Sequence, residues 1–492
     1  MKSSKLTELL ASLSKDEFRK LGDFLKSPFF NKSRYLILFY RELKKYYYKN
    51  NFEINRERLY KNIFKGAKYN DQAFRSLSSD FVKIVEKFMW HLNSENNLLM
   101  QKTCSLIEYR VRGLSKNFKS ISNEIEIMRK ENVNKNEEYY YLGIVLEIEK
   151  MEFGNENIIQ PYKNYFLNIN NNIDLFLVKS KLSILKTMLL RAWFSDEKVD
   201  YTEYMFIEEV TGYIEKEKEN IKANHLTIYM DHLFLKMYFE PQNERHYFLL
   251  KEYILKNLDL FTAEEANEKY LSLENYCTKK KFENNEVFQR ESLNLFKSFE
   301  KKGIFDKLLP VSSVTFYNSF YSALSNKDIT YSEYLLAKYS HKLSAEHKKE
   351  LTELCMALLS YSKKKYTDAM LHLKKIRYLN YFYYLRSKVT MIKIGYETDD
   401  IETVIFEIDN IKHYLKRNKK LIQAHLHYDG ILNFIKIVNK MLKKYDLKKE
   451  ELLKIKKEFE TTNPLDSMQW LKKEIEILTN KNENKYFPKI CV

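Results

Sequence analysis

From Leu351 to Leu415 apolar residues recur at helical spacing, and then the whole block recurs. Leu354, Leu358 and Tyr361 fall on one face of a helix, and Ala369, Leu373 and Ile376 do the same after a polar break at Ser362 to Lys365. One step further on, Leu354 meets Val389 (389 − 354 = 35), Tyr361 meets Tyr396, Tyr366 meets Ile401, Ala369 meets Val404, Leu373 meets Ile408 and Ile376 meets Ile411. The same step backwards pairs Tyr366 with Tyr331 and Leu359 with Leu324, which predicts a third, more degenerate copy. A unit of two amphipathic helices cannot bury its apolar faces alone. Stacked neighbours bury them together and leave an extended surface of the kind that binds protein.

Within the unit, Lys365-Tyr366-Thr367-Asp368-Ala369 resembles the start of the second helix of a tetratricopeptide repeat, where a small residue lets two antiparallel helices approach closely. The next copy departs from that pattern, with Val404 at the small position and Gly395 just before Tyr396. The competing reading is a generic helical bundle with accidental periodicity.

Upstream, Ser14-Lys15-Asp16-Glu17 is a capping box that opens a helix with Phe18, Leu21, Phe24 and Leu25 on one face, ending before Pro28. Asn31 or Ser33 starts a helix carrying Leu36, Phe39, Tyr40 and Leu43. Arg56 to Lys65 is broken by Gly66, and Asn70 caps a long helix with Phe74, Leu77, Phe81, Val82, Val85 and Phe88. That last pair has the outline of a helix-turn-helix over 56–92, with Gln72, Arg75, Ser76, Ser79 and Lys83 facing outward toward bases and phosphates. Packing in a helical bundle is the simpler account of the same pattern. Gln101 to Met151 reads as two further helices, and others follow at Tyr204 to Lys218, Leu226 to Phe239, Arg245 to Leu260, Leu271 to Lys279 and Val287 to Phe299. The predicted organisation is a basic helical module at 1–92, helical hairpins at 93–310, tetratricopeptide-like repeats at 311–445 and a helical cap at 446–492.

Composition strengthens the helical reading, since 9 Gly and 6 Pro among 492 residues are too few turn formers for a sheet-rich chain. The 38 Tyr and 32 Phe supply area for burial, although Tyr, Phe, Lys, Asn and Ile are also favoured by AT-rich codon usage. Cys104, Cys277, Cys355 and Cys491 show no paired spacing, which points to a reducing compartment and to neither a disulfide framework nor a zinc site. Charged residues interrupt Met1 to Phe18, so a signal peptide is not expected. No apolar run approaches a membrane span, and a soluble cytoplasmic protein is expected.

The net charge of +17 is unevenly spread. Residues 1–92 carry 20 basic against 10 acidic side chains (20 − 10 = +10), and residues 411–457 carry 14 against 4 (14 − 4 = +10), which leaves −3 for the rest. Two basic regions around a near-neutral middle suit polyanion contact, and equally suit a solvated lysine surface. The densest cluster is Lys416-Arg417-Asn418-Lys419-Lys420. It could hold a phosphate backbone or an acidic segment, or simply complement a helix C-terminus.

Four segments are similar to landmarks of a family of all-helical bacterial proteins of comparable length with a C-terminal tetratricopeptide-like region. They are Ser27-Pro28-Phe29-Phe30-Asn31-Lys32, Tyr69-Asn70-Asp71-Gln72, Asn275-Tyr276-Cys277 and Tyr414 to Leu421. The resemblance implies a helical fold organised as one body, and it carries no activity and no site residues.

Chemical motifs are scarce. Gly66-Ala67-Lys68 lacks the preceding glycine and the following hydroxyl of a phosphate loop. His425 and His427 point to different helix faces, and His413 reads as a surface residue. No Gly-x-Ser-x-Gly elbow occurs, Cys277 reads as core, and Asp399-Asp400 reads as a helix cap. The expectation is an all-α protein built as an α-solenoid of stacked antiparallel helix pairs, acting as a non-catalytic interaction scaffold without metal, cofactor, small-molecule substrate or membrane. The alternative is a nucleic-acid-associated regulator using Gln72, Arg75, Lys83, Lys416, Arg417, Lys419 and Lys420.

Overall fold

The computed structural model describes residues 5–48, 55–132, 134–157, 162–192, 206–283, 285–376, 381–418, 426–442 and 447–486. These residues form twenty-five α-helices and no strand, with one isolated parallel bridge between Val311 and Leu343. No helix among the described residues is long and apolar enough to cross a membrane. The chain divides into two compact units, Met1–Asn132 with Glu138–Ile173, and Val133–Glu137 with Asp174–Val492.

The first unit opens with α1 (Lys5–Ser12), α2 (Lys15–Lys26), α3 (Arg34–Tyr47), α4 (Arg56–Ile63) and α5 (Asp71–Asn96). The capping box forms as its residues dictate: Glu17 N–H donates to Ser14 Oγ at 3.2 Å and Ser14 N–H to Glu17 Oε2 at 2.7 Å. Phe18, Leu21 and Leu25 are buried behind it, and Phe39 packs edge-on against Phe81 at 5.1 Å. Gln101 to Met151 holds three helices rather than two: α6 (Leu98–Val111), α7 (Ser115–Glu131) and most of α8 (Glu137–Asn157). Gly113 makes the extra break. Its φ of 66° lets the Leu114 N–H reach back to the Tyr109 carbonyl at 2.8 Å and close the end of α6.

The long α9 (Tyr162–Ala192) is followed by α10 (Ile207–Lys216), α11 (Lys218–Asn224), α12 (Leu226–Phe239), α13 (Glu244–Lys256), α14 (Ala263–Phe282), α15 (Glu286–Lys301) and the short α16 (Ile304–Lys307). Next come α17 (Ser313–Ser325), α18 (Ile329–Tyr339), α19 (Ala345–Ser362), α20 (Tyr366–Leu373), α21 (Tyr381–Glu397) and α22 (Ile401–Arg417). The second unit ends with α23 (Leu426–Met441), α24 (Lys449–Thr461) and α25 (Met468–Tyr486). In this unit α14–α15, α17–α18, α19–α20 and α21–α22 are packed pairs, and α15, α17, α19 and α21 also touch in succession.

One turn recurs three times. Lys327, Lys364 and Asp399 each take a left-handed conformation (φ 62°, 59° and 61°). The following N–H returns to the carbonyl five residues back, from Asp328 to Ala323 at 3.0 Å, Lys365 to Ser360 at 2.9 Å and Asp400 to Gly395 at 2.9 Å. This is the bonding of a helix C-terminal cap, achieved without glycine at the left-handed position. The turns correct the register of the first copy: 399 − 364 = 35, but 364 − 327 = 37. Tyr366 therefore matches Ile329 and not Tyr331, because two more residues separate the first two turns.

The corrected register also accounts for Val404. Gly395 faces Val404 where the two helices of its pair meet, and the places equivalent to these two by the turn register are Ser360 and Ala369, and before them Ala323 and Ser332. A Cβ placed on Gly395 would stand 3.0 Å from Val404 Cγ2 and 3.0 Å from the Asp400 carbonyl oxygen. Volume has moved across the contact, so the helices still approach closely although the small residue has changed sides.

The C-terminal helices pack on the last pair. Phe434, Ile435 and Val438 of α23, Ile455 of α24 and Leu471 and Ile475 of α25 share a buried cluster with Val389, Ile392, Val404, Ile408 and Ile411. Each such side chain contributes roughly 1.5–3 kcal/mol on burial.

Candidate functional site

Gln72, Arg75, Ser76, Ser79 and Lys83 lie exposed along one side of α5, while Phe74, Leu77, Phe81 and Val85 are buried on the other. The helical period alone produces this division. Arg75 Nε bonds Asp71 Oδ2 at 2.7 Å and Lys83 Nζ bonds Asp80 at 3.2 Å, so both cations already have acidic neighbours. The connection 64–70 between α4 and α5 has seven residues, longer than the three or four of a DNA-reading helix pair, and α4 packs chiefly on α3. Lys416 and Arg417 are exposed in the last turn of α22, with no carboxylate partner among the described residues. Lys419 and Lys420 lie outside the described residues, as do His425 and Cys491.

Among the described residues no group of three or more His, Cys, Asp or Glu could hold a metal ion. Cys277 is buried and its thiol donates to the Tyr247 hydroxyl at 3.2 Å, and burial pushes its pKa up, which leaves it unreactive. Asp400 caps α22 by accepting from the Thr403 N–H at 3.0 Å.

The structure also assembles charged centres that the linear pattern concealed. Asp231, on α12, accepts from Lys179 and, at 2.7 Å, from Lys186, both on α9. Burial works against its ionised form, yet the two ammonium groups hold its carboxyl well below the ordinary range. Lys269 of α14 faces the same group, with its ammonium 4.4 Å from the centre of the Phe261 ring and no carboxylate within ion-pair distance among the described residues. A visible signal existed in α12, a mostly apolar helix in which Asp231 and His232 are nonetheless buried. A charge in such a helix requires partners.

A second centre lies on α21. Arg386 donates to Asp466 at 3.2 Å, and its buried Nε has no hydrogen-bond partner among the described residues. Beside them Tyr381, Phe382, Leu385, Val389 and Ile431 line a cavity of about 10 Å³, the size of one water and too small for an organic substrate. Lys393, two turns along the helix, has its pKa lowered to about 8, chiefly by burial. At the end of α21, Glu397 accepts from Tyr361 at 2.5 Å, from Tyr366 at 2.6 Å and from Trp470 Nε1 at 2.6 Å. Burial opposes the carboxylate, but these three donors outweigh it and hold Glu397 below its ordinary pKa.

Exposed apolar residues show one regularity. Tyr334, Leu371 and Phe406 are 44%, 58% and 64% exposed, and each stands seven residues after its turn (334 − 327, 371 − 364 and 406 − 399). They occupy the same place on the second helix of three successive pairs. Lys374 and Lys375 are exposed one turn beyond Leu371.

No family model, curated protein or solved structure matches this chain.

Proposed function

We propose that α17–α18, α19–α20 and α21–α22 stack as tetratricopeptide-like units of an α-solenoid, and that the chain is a non-catalytic scaffold binding a protein segment along the second helices. The row Tyr334, Leu371 and Phe406 carries this reading. A single exposed apolar side chain is ordinary, but the same position filled in this way in three successive units forms a linear surface. Lys374 and Lys375 favour acidic residues beside them.

The test is a triple variant, Tyr334→Ser, Leu371→Ser and Phe406→Ser, compared with wild type in photo-crosslinking from position 367, on the same helix, in nuclease-treated extract of the source cells. Unchanged melting with at least a tenfold loss of crosslinked partner supports the row. Undiminished crosslinking sinks it.

The second reading, a nucleic-acid-associated regulator, draws on the exposed Gln72, Arg75 and Lys83 and on the exposed Lys416 and Arg417. Recovery of nucleic acid with the protein at low salt, lost steeply as salt rises, would move the weight to those residues.

A further inference from the structure

The long helix α9 is apolar on two sides, and only one of them is covered. Val178, Leu182, Leu185 and Leu189 are buried. On the other side Phe166, Ile173, Leu177 and Ile184 are 59%, 46%, 40% and 55% exposed. With Asn170 and Ser180 between them, they follow alternating steps of four and three residues, the a/d spacing by which one helix seats against another. Phe166, Ile173 and Ser180 take the d positions, and Asn170, Leu177 and Ile184 the a positions. The series is symmetric about residue 175, since 166 + 184 = 170 + 180 = 173 + 177 = 350. A two-fold axis through that point sets an a residue of one helix against a d residue of the other in every layer.

We infer that the exposed side of α9 is a self-association surface, on which a second copy of this chain lays its own α9 antiparallel. The layers are then Phe166 against Ile184, Asn170 against Ser180 and Ile173 against Leu177, each made twice. Charge chooses the direction. Asp174 and Lys181 both occupy the e position, one heptad apart. Antiparallel helices bring e alongside e, so the Asp174 of each copy comes beside the Lys181 of the other. The Lys181 ammonium, 6.0 Å from the centre of the Phe206 ring, has no carboxylate within ion-pair distance among the described residues. In a parallel pair e lies beside g, and the g positions are Ile169, Phe176, Ser183 and Leu190, which offer neither residue a counter-charge. Asn170 adds register, because a polar side chain in an otherwise apolar seam meets the polar Ser180 at one alignment. An unrelated helix would have to reproduce both the symmetric steps and the paired charges, whereas a second copy carries them already.

Sedimentation equilibrium of the full chain at high micromolar concentration should give twice the chain mass, reversibly on dilution because a single helix pair is a small interface. Ile173→Glu with Leu177→Glu gathers like charges in the central layers and should weaken the association at least tenfold, with melting of the monomer unchanged because both positions are exposed. Direction is read by disulfide formation on a background of Cys104→Ser and Cys491→Ser. Chains carrying Phe166→Cys and chains carrying Ile184→Cys should join when mixed. Neither should join when oxidised alone, since antiparallel packing holds identical residues about 27 Å apart along the axis. A chain that stays monomeric at high concentration would overturn the inference, as would an association that survives both glutamates in a folded chain. A disulfide formed by either cysteine variant alone, the mark of a parallel seam, would overturn it too. The wild-type mass and the mixed disulfide decide even if the glutamate variant does not fold.

Discussion

The pairs α19–α20 and α21–α22 share one turn and one spacing, yet they solve the same packing problem from opposite sides. In the first the buried small residue is Ala369, on the second helix, with Ser360 at the equivalent place on the first; in the second it is Gly395, on the first helix, opposite Val404. They also differ at the end of the first helix, where Glu397 gathers three donors and the matching residue, Ser362, is exposed. What the repeat preserves is the distance between helices, and residue identity is free to vary around it. A pattern defined by a small residue at one fixed position would reject the second pair.

The largest effect should come from Ala369→Lys. It forces an ammonium into a contact where the native side chain is wholly buried, at a cost of at least ~4 kcal/mol, and the expected outcome is loss of the cooperative melting transition. Undisturbed melting would break the comparison at its root.

Next comes Glu397→Ala, which leaves two partly buried hydroxyls and an indole N–H without their acceptor and should cost about 1–3 kcal/mol in denaturant titration. Ser362→Ala in the sister pair should cost well under 1 kcal/mol. Glu397 also has a pH signature. Its folded pKa lies below the ordinary 4.5, so the unfolded chain takes the proton first. The stability it contributes is complete above pH 4.5 and is lost as pH falls through the folded value. The gap between wild type and Glu397→Gln should therefore narrow on acidification.

A third test sharpens the exchange of volume itself. Gly395→Ser should cost about 1–3 kcal/mol by crowding Val404 and the Asp400 carbonyl, and Val404→Ala about 2 kcal/mol by leaving a void. The double variant rebuilds the small–small contact of α19–α20 and should be less destabilised than the sum by about 1 kcal/mol. Strict additivity would show that the two positions do not face one another. The smallest effects concern the caps: Asp400→Ala should cost about 1 kcal/mol, and Lys365→Asp should stabilise α20, which lacks a side-chain cap, by up to about 1 kcal/mol.

Much of the helical layout was legible because it rests on local rules. Apolar period, a capping box and scarce glycine specify helices without any reference to distant contacts. The step of 35 between α19–α20 and α21–α22 was legible for the same reason. The step of 37 before it was not, since the marker is a left-handed Lys327, and lysine announces no such conformation. Lys179 and Lys186 were hidden by abundance. In a chain with 84 basic residues, two lysines beside the buried Leu182 and Leu185 read as surface until Asp231 is placed against them. Glu397 was invisible because its donors come from three helices, one of them beginning at Met468.

The row of Tyr334, Leu371 and Phe406 has a consequence for how this chain can change over time. Its side chains are largely exposed, Leu371 and Phe406 most of all, whereas Ala369, Val404 and Gly395 hold the helices together and contribute little to the outer surface. Mutation can rewrite the row one rung at a time, or lengthen it by duplicating a hairpin, without eroding thermal stability. On the scaffold reading proposed above, drift in what the surface recognises is thereby uncoupled from drift in the fold that displays it.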